Sequence, residues 1–156
     1  MKKKFNWKLL LSSLLIVYVT AIIGSLFTSG NVNSAWYESI KPSITPPNGV
    51  FPIVWGILFL LIGLSLYFSW NNSNKNDKNA IAAIFAANLG LNIIWSLLYF
   101  ELRMPIVAFF ELIILWISIL VMIFTVAESN KKAGWLLVPY LLWVTFAGIL
   151  NYLSAF

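Results

Sequence analysis

The stretch Ala80–Phe100, AIAAIFAANLGLNIIWSLLYF, contains no charged residue. A helix crosses a bilayer core with about 20 consecutive apolar residues, so the stretch reads as one crossing. It is also two-faced. At about 100° per residue, Ala82, Ala86 and Gly90 fall within about 80° of one another, with Ala83 and Ala87 alongside. Asn88, Asn92 and Trp95 gather on roughly the opposite side. Small residues four apart let helix backbones approach closely in lipid. An amide left unpaired in hydrocarbon is costly, so the asparagines must turn inward. The alanine face is therefore expected to lie outside, where a homodimer contact through Ala82, Ala86 and Gly90 is preferred over packing within the chain. For Asn88 and Asn92 two readings stay open: hydrogen bonds between helices, or a polar patch in a ligand cavity.

Four further runs of this kind flank it, at Leu9–Phe27, Phe51–Trp70, Pro105–Ala127 and Trp135–Leu153. The expected fold is all-α integral membrane, a five-transmembrane-helix bundle and homodimer, with residues 1–156 as a single membrane domain. Helices are placed at 9–27, 51–70, 80–100, 105–127 and 135–153, with a lid loop over 28–50. Composition agrees, since 61% of residues are hydrophobic and 10% charged, against roughly 25% charged in globular chains. Pro52 and Pro105 sit in first turns, where a missing N–H is harmless. Gly134 is expected to divide the Lys131-Lys132 loop from the last helix, and Pro139 to bend that helix near its inner end. The run after Met1-Lys2-Lys3-Lys4 is longer than a secretory h-region, and Gly24-Ser25-Leu26-Phe27-Thr28 offers no small-x-small site, so a retained first helix is expected. Cysteine and histidine are absent. That excludes disulfides, thiolate or imidazole metal sites and an imidazole base; no metal is expected.

Five crossings place Lys2, Lys3, Lys4, Lys8, Lys75, Lys78, Lys131 and Lys132 at one membrane face, against Lys41 and Arg103 at the other. This positive-inside bias predicts a multi-pass protein of the cell membrane with a cytoplasmic N-terminus, the 28–50 loop and C-terminus being external. It also accounts for the net charge of +5, which suits anionic lipid better than nucleic acid.

Two other crossings present inward faces. Tyr140, Trp143, Ala147 and Asn151 share one stripe of the fifth, and Phe51, Trp55, Phe59 and Ile62 share one of the second. Of the eight tryptophans, Trp36, Trp70 and Trp135 fall at expected interfaces, while Trp55, Trp95 and Trp143 lie deeper. Aromatic stripes usually mean core. Three such faces, each pairing rings with an amide or small residue, suit a pocket for a flat, apolar ligand. Glu111 is the one carboxylate well inside a span, about one and a half turns past Pro105. Both a functional intramembrane acid and a hydrated or protonated acid near the outer rim fit that position. The loop with Trp36, Pro42, Pro46, Pro47 and Gly49 reads as an ordered lid over the outer mouth.

Three motifs then carry a resemblance across the whole chain. Trp36-Tyr37, Lys41-Pro42-Ser43-Ile44-Thr45-Pro46-Pro47 and Phe51-Pro52-Ile53-Val54-Trp55 together resemble the first signature of the tryptophan-rich sensory protein family, the bacterial branch of the translocator (peripheral benzodiazepine receptor, TspO/MBR) proteins. Asn88–Trp95 resembles its third-helix motif and Pro139–Asn151 its fifth-helix motif. The resemblance implies a dimeric five-helix bundle with a ligand cavity beneath the first loop. It implies binding of porphyrins (protoporphyrin IX, haem) and of benzodiazepine or isoquinoline carboxamide ligands, with the porphyrin as ligand or substrate and no intrinsic cofactor. Light-dependent oxidative breakdown of protoporphyrin IX is implied for some bacterial members. Carried over by motif, the ligand-facing residues are Trp36, Pro47, Trp55, Asn92, Trp95, Trp143, Ala147 and Leu150, with Trp55 and Trp143 the candidate redox-active, catalytic side chains. The sterol pattern of animal members is missing from its place, because neither Tyr140 nor Tyr152 is followed by Lys or Arg.

A porphyrin-binding receptor is thus the leading expectation. A transporter or exporter of tetrapyrroles ranks second, because no internal repeat is visible and only Pro139 interrupts a span. A regulatory partner without substrate is the third reading. Conventional acid–base catalysis is disfavoured by the missing histidine and the single buried acid.

Overall fold

The computed structural model describes residues 5–156, so Lys2, Lys3 and Lys4 of the charge bias lie outside the described residues. The described chain runs α1 (Trp7–Ser29), α2 (Ala35–Ile40), α3 (Val50–Asn72), α4 (Lys75–Ser96), α5 (Pro105–Ser129) and α6 (Lys131–Ala155), with α4 continuing as a π-helical turn over Leu97–Glu101. All but α2 are long and apolar enough to cross a membrane. The protein is an all-helical, five-span membrane bundle.

The helices outrun their apolar stretches. Asn71–Asn79, expected as a loop, is helical except for Ser73 and Asn74, and only Asn130 separates α5 from α6. Apolar runs mark the hydrocarbon core, whereas a helix keeps its backbone groups paired through the headgroup zone as well. Asn130 starts α6 directly, its side chain accepting from the Lys132 N–H at 2.9 Å. Gly134 therefore lies inside α6 and does not precede it. It is there for space: an added Cβ would sit 3.0 Å from the Ala127 Cβ and 3.2 Å from the Ile123 carbonyl oxygen. Pro139 likewise stays within α6 without ending it.

The five spans close into a ring. α1 packs between α3 and α4, α5 between α4 and α6, and α6 closes against α3. Gly63 lets α3 approach α1, since a Cβ there would meet the Leu14 side chain at 2.7 Å. The inward stripe of α5, Leu112, Leu115, Ile119, Met122 and Val126, shares one core with Ile62, Phe85, Leu137 and Tyr140. Leu15, Leu26, Ile53, Phe124 and Leu142 are exposed on the outer wall, as an exterior solvated by lipid requires.

The two faces of α4 separate as the sequence predicts. Asn88 and Asn92 are buried, and Ala82, Ala83, Ala86 and Ala87 are exposed. Nothing lies within 4 Å of a Cβ built on Gly90. The loop over residues 28–50 is ordered and contains a short helix that its prolines and tryptophan did not announce. Ser34 caps α2 by accepting from the Tyr37 N–H at 3.2 Å. Asn48 ties the two ends of the loop together, donating to the Val32 carbonyl (3.3 Å) and the Asn33 side-chain oxygen (2.9 Å).

Candidate functional site

Inside the ring, the side-chain polar groups of the helices form two tiers. In the middle tier, Asn88 donates to the Ser118 hydroxyl (2.8 Å), Asn92 donates to the Tyr140 hydroxyl (3.2 Å), and that hydroxyl donates to the Asn88 oxygen (3.2 Å). This joins α4, α5 and α6 through Tyr140, which is fully buried. In the tier beneath the lid, the Trp95 indole donates to Asn151 at 3.0 Å, and Asn151 donates to the Pro105 carbonyl at 2.8 Å. Of the two readings left open for Asn88 and Asn92, hydrogen bonding between helices is the one the structure displays.

The aromatic residues fill the space around these tiers. The Trp55 ring lies 5.4 Å from Phe59 and 6.1 Å from Tyr140, and Trp143 lies 5.8 Å from Phe51, one turn before Trp55. Trp95 stacks on Tyr99 at 5.3 Å, and Tyr99 in turn meets Trp36 of the lid at 6.0 Å. Among the residues named by motif, Trp55 and Asn92 thus meet at Tyr140, and Trp95 and Trp36 meet at Tyr99. Ala147 and Leu150 lie on the same helix as Trp143, Leu150 being buried and Ala147 half-buried. Pro47 is exposed on the returning arm of the lid.

The lid is held by the turn joining α4 to α5. Arg103 adopts the left-handed conformation (φ 54°), uncommon outside glycine, and its guanidinium sits 5.6 Å from the Trp36 ring centre. Asn31 donates to Glu101 at 3.1 Å from the other side. Tyr37 packs against Tyr99 and Phe100. Burial, with smaller contributions from Tyr99 and Glu38, pushes the Tyr37 phenol from 10.0 up to about 12. It therefore stays protonated across the physiological range.

Several groups here were not singled out in the sequence. Tyr99 and the π-helical turn carrying it link the bundle to the lid, and such turns often mark functional sites. Ser118 had a legible signal, being a hydroxyl within an apolar span. Glu111, left open above, is buried at 8% exposure, and neither carboxylate oxygen has a hydrogen-bond partner. The Trp143 indole N–H is also buried without one. Two apolar grooves indent the outer wall: one of about 390 Å³ between α3 and α6, lined in part by Trp143 and Pro139, and one of about 330 Å³ between α5 and α6.

The sequence model of the TspO/MBR family matches residues 13–155. Tryptophan-rich protein TspO of Archaeoglobus fulgidus is 40% identical over 144 residues, covering 92% of each chain. The protein of the same name from Chlorobaculum tepidum is 39% identical over 132 residues, covering 83% of this chain and 82% of its own. Translocator protein of Bos taurus is 31% identical over 133 residues, covering 83% of this chain and 78% of its own.

Proposed function

We propose that this chain, which belongs to the TspO/MBR family, is a membrane receptor for porphyrins such as protoporphyrin IX and haem, and for benzodiazepine or isoquinoline carboxamide ligands. The observation carrying this reading is the wall of packed rings and amides that Trp36, Trp55, Asn92, Trp95 and Trp143 build between the bundle centre and the lid. Flat apolar molecules are held by faces of this kind. Ala147 and Leu150 complete the α6 side of the site, and Pro47 the lid side. Light-dependent oxidative breakdown of protoporphyrin IX, with dissolved dioxygen as the oxidant, is the reaction we assign to the same site, Trp55 and Trp143 being the candidate redox-active side chains. Transport of tetrapyrroles is the second reading, supported by the two grooves that reach the outer wall at the α6 seams.

Titration with protoporphyrin IX is expected to quench the tryptophan emission of the purified protein; unchanged emission would remove the receptor reading. Under illumination, porphyrin absorbance is expected to decay faster with the wild type than with Trp55→Phe or Trp143→Phe. Equal decay in all three and in empty detergent would end the degradation reading.

We also propose that the protein lies in the cell membrane with a cytoplasmic N-terminus and an external lid and C-terminus. Lys8, Lys75, Lys78, Lys131 and Lys132 lie at the end of the bundle opposite Lys41 and Arg103, which supports that orientation. A homodimer through Ala82, Ala86 and Gly90 is supported by the open alanine face of α4. Ala86→Leu is expected to convert the dimer to monomer in mild detergent; an unaltered dimer mass would count against this face.

A further inference from the structure

We infer that Glu111 is a recognition group for a cationic nitrogen, so that the site selects flat apolar ligands bearing a protonated amine. The inference rests on the receptor reading and gives that site a charge preference. The interior holds an imbalance. The amides and hydroxyls of both tiers satisfy one another, yet both Glu111 oxygens have no partner at 8% exposure. Buried carboxylates are normally paired or strongly hydrogen-bonded, because taking the group out of water is expensive.

Among the described residues the chain supplies no such partner. The described cations stand at the two ends of the bundle, and those at the lid end are engaged, Lys41 with Glu38 at 2.7 Å and Arg103 over Trp36. Helix register shows where the carboxyl lies. Ser118, two turns further along α5, bonds Asn88, which brings Glu111 level with Trp95, two turns from Asn88 on the oppositely directed α4. On the other side, Asn151 bonds the Pro105 carbonyl and Leu112 lies against Gly148, which brings Glu111 level with Ala147 on α6. Glu111 thus stands between the two polar tiers, among the residues already assigned to the ligand.

A second buried group without a partner lies on α6. The Trp143 indole N–H, one turn along α6 from Ala147, offers an unused donor. A ligand that fits both groups is a fused aromatic with an ammonium or N–H⁺ edge toward Glu111 and an acceptor edge or π-face toward Trp143. A charge-assisted hydrogen bond in a site closed to water is the strong kind.

The probes are 9-aminoacridine, a planar cation near neutral pH, and acridine, its uncharged counterpart, each titrated by tryptophan quenching beside protoporphyrin IX. Wild type is expected to bind 9-aminoacridine at least about tenfold more tightly than acridine, and Glu111→Gln to bind the two with equal affinity. Equal affinity of wild type for the two acridines would overturn the inference, and so would an unchanged preference in Glu111→Gln. Should Glu111→Gln fail to fold, Glu111→Asp with wild type decides it: the shorter acid is expected to retain a reduced cation preference, and a preference equal to wild type would overturn the assignment. Protoporphyrin binding without a cation preference removes the role of Glu111 and leaves the receptor reading standing. Loss of protoporphyrin quenching in wild type strikes the receptor reading itself.

Discussion

Tyr140→Phe is expected to lower the unfolding free energy by about 2–4 kcal/mol, the cost of leaving two buried amides without their shared partner. The phenol accepts from Asn92 and donates to Asn88, and the ring is fully buried. Removing only the hydroxyl preserves ring packing against Trp55, so the loss isolates the polar hub. In a membrane span no water replaces the missing bond. Thermal unfolding in one detergent, compared with wild type, measures the effect. A loss under about 0.5 kcal/mol would mean that the tier is held by Asn88 and Ser118 alone. A second readout separates support from mere stability: protoporphyrin quenching should weaken, because Trp55 and Asn92 both rest on Tyr140.

Gly134→Val is the other large expected effect, a destabilisation of about 3 kcal/mol or more, at the upper end for overpacking. The α5–α6 seam runs most of the length of both helices. At Gly134 it is closed by contacts with the Ala127 Cβ and the Ile123 carbonyl oxygen, at 3.0 and 3.2 Å from a built Cβ. Backbone and a Cβ cannot swing aside as a long side chain can, so the helices must part. Gly56→Ala is the matched control. Nothing lies within 4 Å of its built Cβ, and alanine is favoured over glycine in a helix by roughly 0.5–1 kcal/mol. Equal unfolding midpoints for Gly134→Val and Gly56→Ala would refute a space-limited seam.

Much of the site was legible because the bilayer makes polar residues conspicuous. Asn88, Asn92 and Asn151 stand out in apolar helices, and hydrocarbon forces each toward the interior. Trp55 and Trp143 were readable from their stripes. Tyr99 was not, since its role depends on a π-helical turn that rotates it toward the lid. Nor was Gly134, which in sequence looks like helix punctuation and in the bundle is a contact point.

By itself the sequence determined the five crossings, the two faces of α4 and the side on which the amides lie. Those follow from hydropathy and the period of a helix, properties of one segment in one solvent. Tertiary structure alone decided the order of helices around the ring, the pairing of Asn88, Asn92 and Ser118 through Tyr140, and the isolation of Glu111. Each of these depends on which side chains from distant segments arrive at the same height. Hydrogen bonds are satisfied or left open only there.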